Sequence, residues 1–307
     1  MVLEVNTSNC HCEARSCHCF VPRNDKNATP HNDKNVPRND RLIPCNDSIY
    51  RLINKIKTMK NIIILISIFL ISSTTFAQKE GLVRYTRTTY WTKLNSTLPY
   101  LSKQEKEKQA YMYGGRDDWQ EYTLLYFNEK GSYYKQSDQL TSWEEKYDYN
   151  GRKEQFGIKR DFEKNTMSEV FEMIGRTYIL EDSLKQYDWK ILNDIKDVAG
   201  HICMKAMMED TVKKQKIIAW FAQDIPINAG PERLYGLPGL IMELNIGDGA
   251  LIIEATKIEP LTITNEMDLP KKLKGKKIND LAFQDMLRKF IQEKIKEERN
   301  PFWSIRY

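Results

Sequence analysis

The 307-residue chain carries 47 Lys/Arg against 42 Asp/Glu, a formal net charge of +5, and ten of the basic and six of the acidic residues fall before residue 78. From residue 78 onward 37 basic side chains meet 36 acidic ones, which excludes the one-signed field that nucleic acid or an anionic membrane surface would require. Those 230 residues suffice for one sizeable core.

Residues 1–58 read as a leader outside the fold. They contain "CHCEARSCHC", and "VPRND" occurs at Val21 and again at Val36. There is little apolar periodicity from which to build a core. Neither a C-x-x-C spacing nor a C-x-x-C-H signature is present, which argues against a zinc or haem site. The segment resembles translated repeat DNA, so Met59 is the expected start. Residues 59–77, "MKNIIILISIFLISSTTFA", have a lysine, an apolar run and then small residues, the layout of a secretory signal peptide cleaved after Ala77. The apolar run is about 15 residues, short of the roughly 20 that span a bilayer. The expected location is therefore periplasmic or secreted. Five of the six cysteines precede residue 60 and only Cys203 follows, so the exported body depends on packing rather than disulfides.

Residues 82–91, rich in β-branched and aromatic side chains, predict a first strand. Residues 99–113 are charged enough for a solvated helix or a loop. Segments 121–127 and 132–136 flank "NEKG", and 156–162 and 167–173 flank "EKNT", two hairpin signals. Residues 176–180 add a short strand. From Trp189 the strands strengthen: "WKIL", "GHICMKAMMED", "QKIIAWFAQDIPI", "GLIMELNIG" and "ALIIEATKIEP" follow one another with connections too short for helical crossovers, so pairing should be antiparallel. The lysines at 271, 272, 274, 276 and 277 read as a solvated loop. Residues 280–299 show an amphipathic helical stripe of Leu281, Met286, Leu287, Phe290, Ile291 and Ile295. The expected layout is a β domain over 78–275 and a helix within 276–307 packing on it or extending from it.

"YGLPGLIMEL" sets Gly236, Pro238 and Gly239 against an apolar run. Glycine permits positive φ and proline fixes φ without donating a hydrogen bond, so the stretch specifies a bend. A phosphate cradle would need a helix after the glycines; here a strand is predicted to follow.

Together with "AGHICMKA", "AWFAQDIPINAGPERLYGLPGLIMEL" and a signal peptide ending in "AQ", this bend resembles the GLPGLI family of exported proteins from Bacteroidetes-type bacteria. Gly230, Pro231, Gly236, Leu237, Pro238, Gly239, Leu240 and Ile241 stand as the family has them. The family has no established activity; its genes commonly lie beside TonB-dependent outer-membrane receptors, which implies an accessory role. The string of strands also resembles a lipoprotein-carrier type of half-barrel, a curved antiparallel sheet around helices that holds an apolar ligand. The fold expected is thus mainly β (α+β), with a C-terminal amphipathic helix.

Enzymatic chemistry finds little support: the body has one histidine, His201, and no G-x-S-x-G elbow. No catalytic residue or cofactor is assigned. A soft-metal reading rests on alternation in "HICMKAMMED", which puts His201, Cys203, Lys205 and Met207 on one face, with Ile202, Met204, Ala206 and Met208 turned to the core. An imidazole, a thiol and a thioether suit copper(I), although Lys205 among them opposes a cation. Trp220, Phe221 and Tyr235 are candidates for a ligand or partner surface. The expectation is a non-enzymatic envelope accessory protein that binds an apolar ligand or a protein partner such as an outer-membrane receptor. A copper-binding protein and a pure interaction module are the alternatives.

Overall fold

The computed structural model describes residues 12–13, 16–17, 55–56, 58–61, 79–112, 118–141, 144–145, 155–269 and 273–306. The chain divides into two compact units, Met1–Phe76 and Ala77–Tyr307. In the first, β1 (Cys12–Glu13) pairs antiparallel with β2 (Ser16–Cys17). Residues 62–77, most of the expected export signal with its cleavage site, lie outside the described residues. Among the described residues no helix is long and apolar enough to cross a membrane.

The second unit is built on one twelve-stranded sheet. Its first half is a meander of β3 (Gly81–Tyr90), β4 (Asp118–Asn128), β5 (Gly131–Gln136), β6 (Gly157–Asp161), β7 (Thr166–Met173) and β8 (Arg176–Ser183). The second half is a meander of β9 (Lys190–Val198), β10 (His201–Asp210), β11 (Gln215–Ala222), β12 (Leu240–Ile246) and β13 (Leu251–Pro260). Antiparallel pairing of β13 with β3 joins the halves. "NEKG" and "EKNT" make the two hairpins expected of them.

The connection between the halves sets the curvature. β8 and β9 stand ten strand positions apart in the sheet, about 48 Å if the sheet were flat. Only residues 184–189 join them, a reach of about 25 Å fully extended. The sheet therefore rolls until its two sides approach, the open curved form expected of a half-barrel.

Two departures from the sequence reading concern the lysine loop and strand β11. Lys276–Ile278 forms β14, which pairs with β8 in parallel, and the Lys277 ammonium reaches Glu181 at 3.1 Å. The edge of β8 supplies unpaired backbone groups that a lysine-rich strand satisfies while its side chains stay in water. β11 stops at Ala222 instead of running on through "QDIPI", and residues 223–239 leave the sheet.

The sheet is accompanied by the α-helices α1 (Trp91–Ser96), α2 (Lys103–Met112) and α3 (Asp280–Lys296). α3 begins where the Asn279 side chain accepts the Ala282 N–H at 2.9 Å and ends with Lys294 and Lys296 in its last turn, both favourable to the helix dipole. Its Leu287 and Phe290 are buried, with Phe283, Met286 and Ile291 packed against the core, whereas Leu281 and Ile295 at the ends of the expected stripe are exposed.

Candidate functional site

The "GPERLYGLPGLI" loop is fixed from within the sheet. On β6, Ile158 and Arg160 lie two apart and both are buried, so an arginine occupies a core-facing position. The Arg160 guanidinium donates to Ser132 Oγ at 3.2 Å, to the Gly230 carbonyl at 3.1 Å and to the Glu232 carbonyl. A cation this deep needs such acceptors, and two of them are loop backbone. The connection 184–189 holds the loop from the other side. Tyr187 Oη donates to Arg233 O at 2.9 Å, Trp189 Nε1 to Tyr235 O at 2.9 Å, and Tyr235 Oη to Lys185 O at 2.6 Å. Gly236 turns the chain at φ 91°, a region open to glycine. Leu240 N–H then bonds Ile225 O and Ile241 N–H bonds Ala229 O, delivering Leu240 and Ile241 into β12.

Between Gly230 and Gly236 the loop presents Glu232 and Arg233. Glu232 adopts φ 54°, a left-handed backbone uncommon outside glycine. Its carboxylate accepts Arg306 Nε at 2.8 and 3.0 Å and Tyr134 Oη at 3.3 Å, with Arg87 Nε at 3.4 Å. Burial pushes this carboxyl up, but Arg306, Arg87 and Lys213 outweigh it and hold it below the ordinary glutamate value. Arg87 also pairs at 2.6 Å with Glu121, its direct cross-strand neighbour. Arg233 contacts Glu169 at 2.7 Å and Asp280 at 3.1 Å, and its guanidinium carbon lies 3.9 Å from the centre of the Phe283 ring. For Glu169 burial prevails and its carboxyl is raised despite Arg233.

These charges border a cavity of about 1250 Å³ between the rolled sheet, α3 and residues 302–306. Met167, Phe171 and Met173 of β7 form one wall and Met208, Ile217 and Ile246 of β10, β11 and β12 another, with Phe283 and Leu287 of α3 above. The space exceeds the few hundred to one thousand Å³ of most small-molecule sites. It is amphipathic: an apolar, methionine-rich lining meets a rim of paired charges.

The residues singled out from sequence scatter. Phe221 is fully buried in the core, so it offers no surface. Tyr235 lines the cavity but is nearly buried and pinned through its hydroxyl, with Arg160 5.1 Å from its ring centre. Trp220 is half-buried on the opposite face of β11, with Lys196 and Lys205 over its ring at 4.7 and 5.6 Å. Gly230, Pro231, Leu237, Gly239, Leu240 and Ile241 are buried, while Gly236 and Pro238 are exposed.

The soft-metal set is not assembled. Register with β11 keeps Cys203 and Lys205 on one face, opposite Ala222 and Trp220, but Cys203 has no exposed surface. Burial pushes its thiol up to about 12, against the thiolate a metal needs. The His201 imidazole is engaged by Asp224 at 2.7 Å, and Lys205 pairs with Asp194 at 3.3 Å. Among the described residues no three His, Cys, Asp or Glu side chains cluster closely enough to hold a metal. Ile202, expected in the core, is 62% exposed, because it lies at the end of β10 beside the edge strand. A thiol reagent is expected to leave Cys203 unmodified in the native protein and to label it fully in denaturant; rapid native labelling would contradict the burial.

Sequence reasoning missed Arg87, Arg160, Glu232, Arg233 and Arg306. For two of them a signal existed: Arg87 follows Val83 and Tyr85, and Arg160 follows Ile158, at strand spacing on the apolar face.

Residues 196–243 match a family model described as "Protein of unknown function (Porph_ging)". The match covers β10, β11 and the loop into β12, the residues on which the sequence resembles the GLPGLI family, and the recognition is borne out there. A search of curated proteins finds no match. Two solved structures of PNGF-II, in the P21 and C2 space groups, each show 13% identity and a TM-score of 0.46 over 68% of this chain. The chain spans about a third of their length, 33% and 32%.

Proposed function

We propose that the chain is an exported, non-enzymatic envelope accessory protein that carries a ligand with an apolar body, in the service of outer-membrane transport. The cavity beneath α3 carries the reading, because its methionine and aromatic lining suits a flexible apolar guest. The signal-peptide pattern of residues 59–77 supports export. Protein purified from its native envelope should release a ligand on solvent extraction and mass spectrometry. Met208→Trp, which fills the cavity wall, should keep the wild-type melting temperature and lose most of that ligand. Repeated absence of any co-purifying molecule from the wild type would end the reading.

Trp220 favours a second reading, an interaction surface for an outer-membrane receptor. The indole lies under Lys196 and Lys205, which pair with Glu243 and Asp194, on the face away from the cavity, a half-buried aromatic platform on which a partner's apolar side chain can pack. Photo-cross-linking from position 220 in cells should then capture the receptor; a position-220 probe that captures nothing while the extraction experiment succeeds would leave only the carrier.

A further inference from the structure

Among the described residues, Lys213 is a half-buried cation of the cavity that forms no ion pair with its carboxylates. Glu232 engages Arg306 and Arg87, and Glu169 with Asp280 engages Arg233. Lys213, in the turn between β10 and β11, is half-buried and lines the cavity. Its backbone N–H donates to Asp210 Oδ1 at 3.0 Å, and the side chain's only hydrogen bond among the described residues is from Nζ to the neutral Arg306 carbonyl at 3.2 Å. An ammonium has three donors, so two remain. Two residues on, Gln215 is 6% exposed, also lines the cavity, and its Nε2 has no partner. Buried donors are almost always paired in folded proteins.

The order of side chains along this strand then matters. Lys213, Gln215 and Ile217 occur at alternate positions and all border the cavity. Ile217 faces Met208 in one neighbouring strand and Ile246 in the other, with Leu287 of α3 lining the same space. The sequence of chemistry is cation, amide donor, apolar wall.

We infer that the cavity takes an amphiphile with a single carboxylate head and an apolar tail, the head on Lys213 Nζ and Gln215 Nε2, the tail along Ile217, Met208, Ile246 and Leu287. This rests on the carrier reading and deepens it. One carboxylate offers two oxygens, one for the ammonium and one for the amide N–H, and its charge matches that of Lys213. Removal from water lowers the Lys213 pKa, only partly offset by Asp210 and Glu232, with Arg233 and Arg87 lowering it further. A bound carboxylate relieves that penalty.

The test uses the purified protein with the neutral fluorophore N-phenyl-1-naphthylamine, displaced by decanoate or by decanol at pH 7. Decanoate should displace it at least tenfold more tightly than decanol, and Lys213→Met should erase that difference while leaving decanol unchanged. Equal potency of the two in the wild-type protein overturns the head-group site and leaves the carrier reading standing. A wild-type protein that binds neither the fluorophore nor either amphiphile overturns both. If Lys213→Met fails to fold, the wild-type ratio still decides.

Discussion

Gly239→Val is expected to yield no stably folded protein. A Cβ at this position would stand 2.2 Å from the Ala222 carbonyl oxygen, 2.8 Å from its carbon and 3.2 Å from Gln223 Cα. All three atoms are backbone at the end of β11, so no side-chain rotation relieves the clash. Relief requires parting β11 from the start of β12, where Ala222 is in register with Leu240 and both are fully buried. The expected loss exceeds about 4 kcal/mol, at the severe end for single substitutions, against total stabilities of about 5–15 kcal/mol. Gly236→Ala is the control. It meets no atom within 4 Å and bears only the strain of φ 91°, about 1–2 kcal/mol. Urea melts of the two variants should rank them far apart. A Gly239→Val protein that melts like the wild type but has lost its ligand would make the motif a binding site and not a bend.

That contrast shows how the sequence encodes this fold. Local chemistry was readable: "NEKG" and "EKNT" specify their hairpins within a few residues, and the stripe of α3 follows from its spacing. The rolled sheet was not, because it depends on residues 184–189 bridging strands that pair with different partners. Nor does alternation foresee burial on both faces. Cys203, Ala222 and Leu240 lie in register across three strands, and all are fully buried. Two pairs further along the register, on the same face, Lys205 and Trp220 are half-buried. The difference arises where residues 223–239 fold back beside β12, a contact with no local signature. The same holds for the site. "PER" inside the motif reads as turn polarity until Arg87, Arg160 and Arg306 arrive from positions 70 to 145 residues away. Charges that pair only in three dimensions look like solvated ones in one.

Glu232→Gln should therefore cost far more than a surface substitution, about 3–5 kcal/mol, because it leaves Arg306 inside the protein without its counter-charge and Arg87 with Glu121 alone. The pH dependence separates charge from shape, since glutamine keeps the volume and loses only the ionisation. The folded-state pKa of Glu232 lies below its unfolded value, so its contribution is fully present above the unfolded pKa, about 4.3. It is lost as the pH falls through the folded pKa. Glu169 acts oppositely: its raised pKa makes protonation favour the folded state, so its contribution grows as the pH falls. Glu169 is present in both proteins, but after burial the Glu232 charge also raises it, so the difference between wild type and Glu232→Gln reports the charge of Glu232 together with that coupling. In urea unfolding at pH 7 the gap should be at its widest, and from about pH 4.3 downward it should close. A gap that keeps its size to pH 3 would mean that the loop is held by packing around Tyr134 and Arg160, with the carboxylate charge incidental.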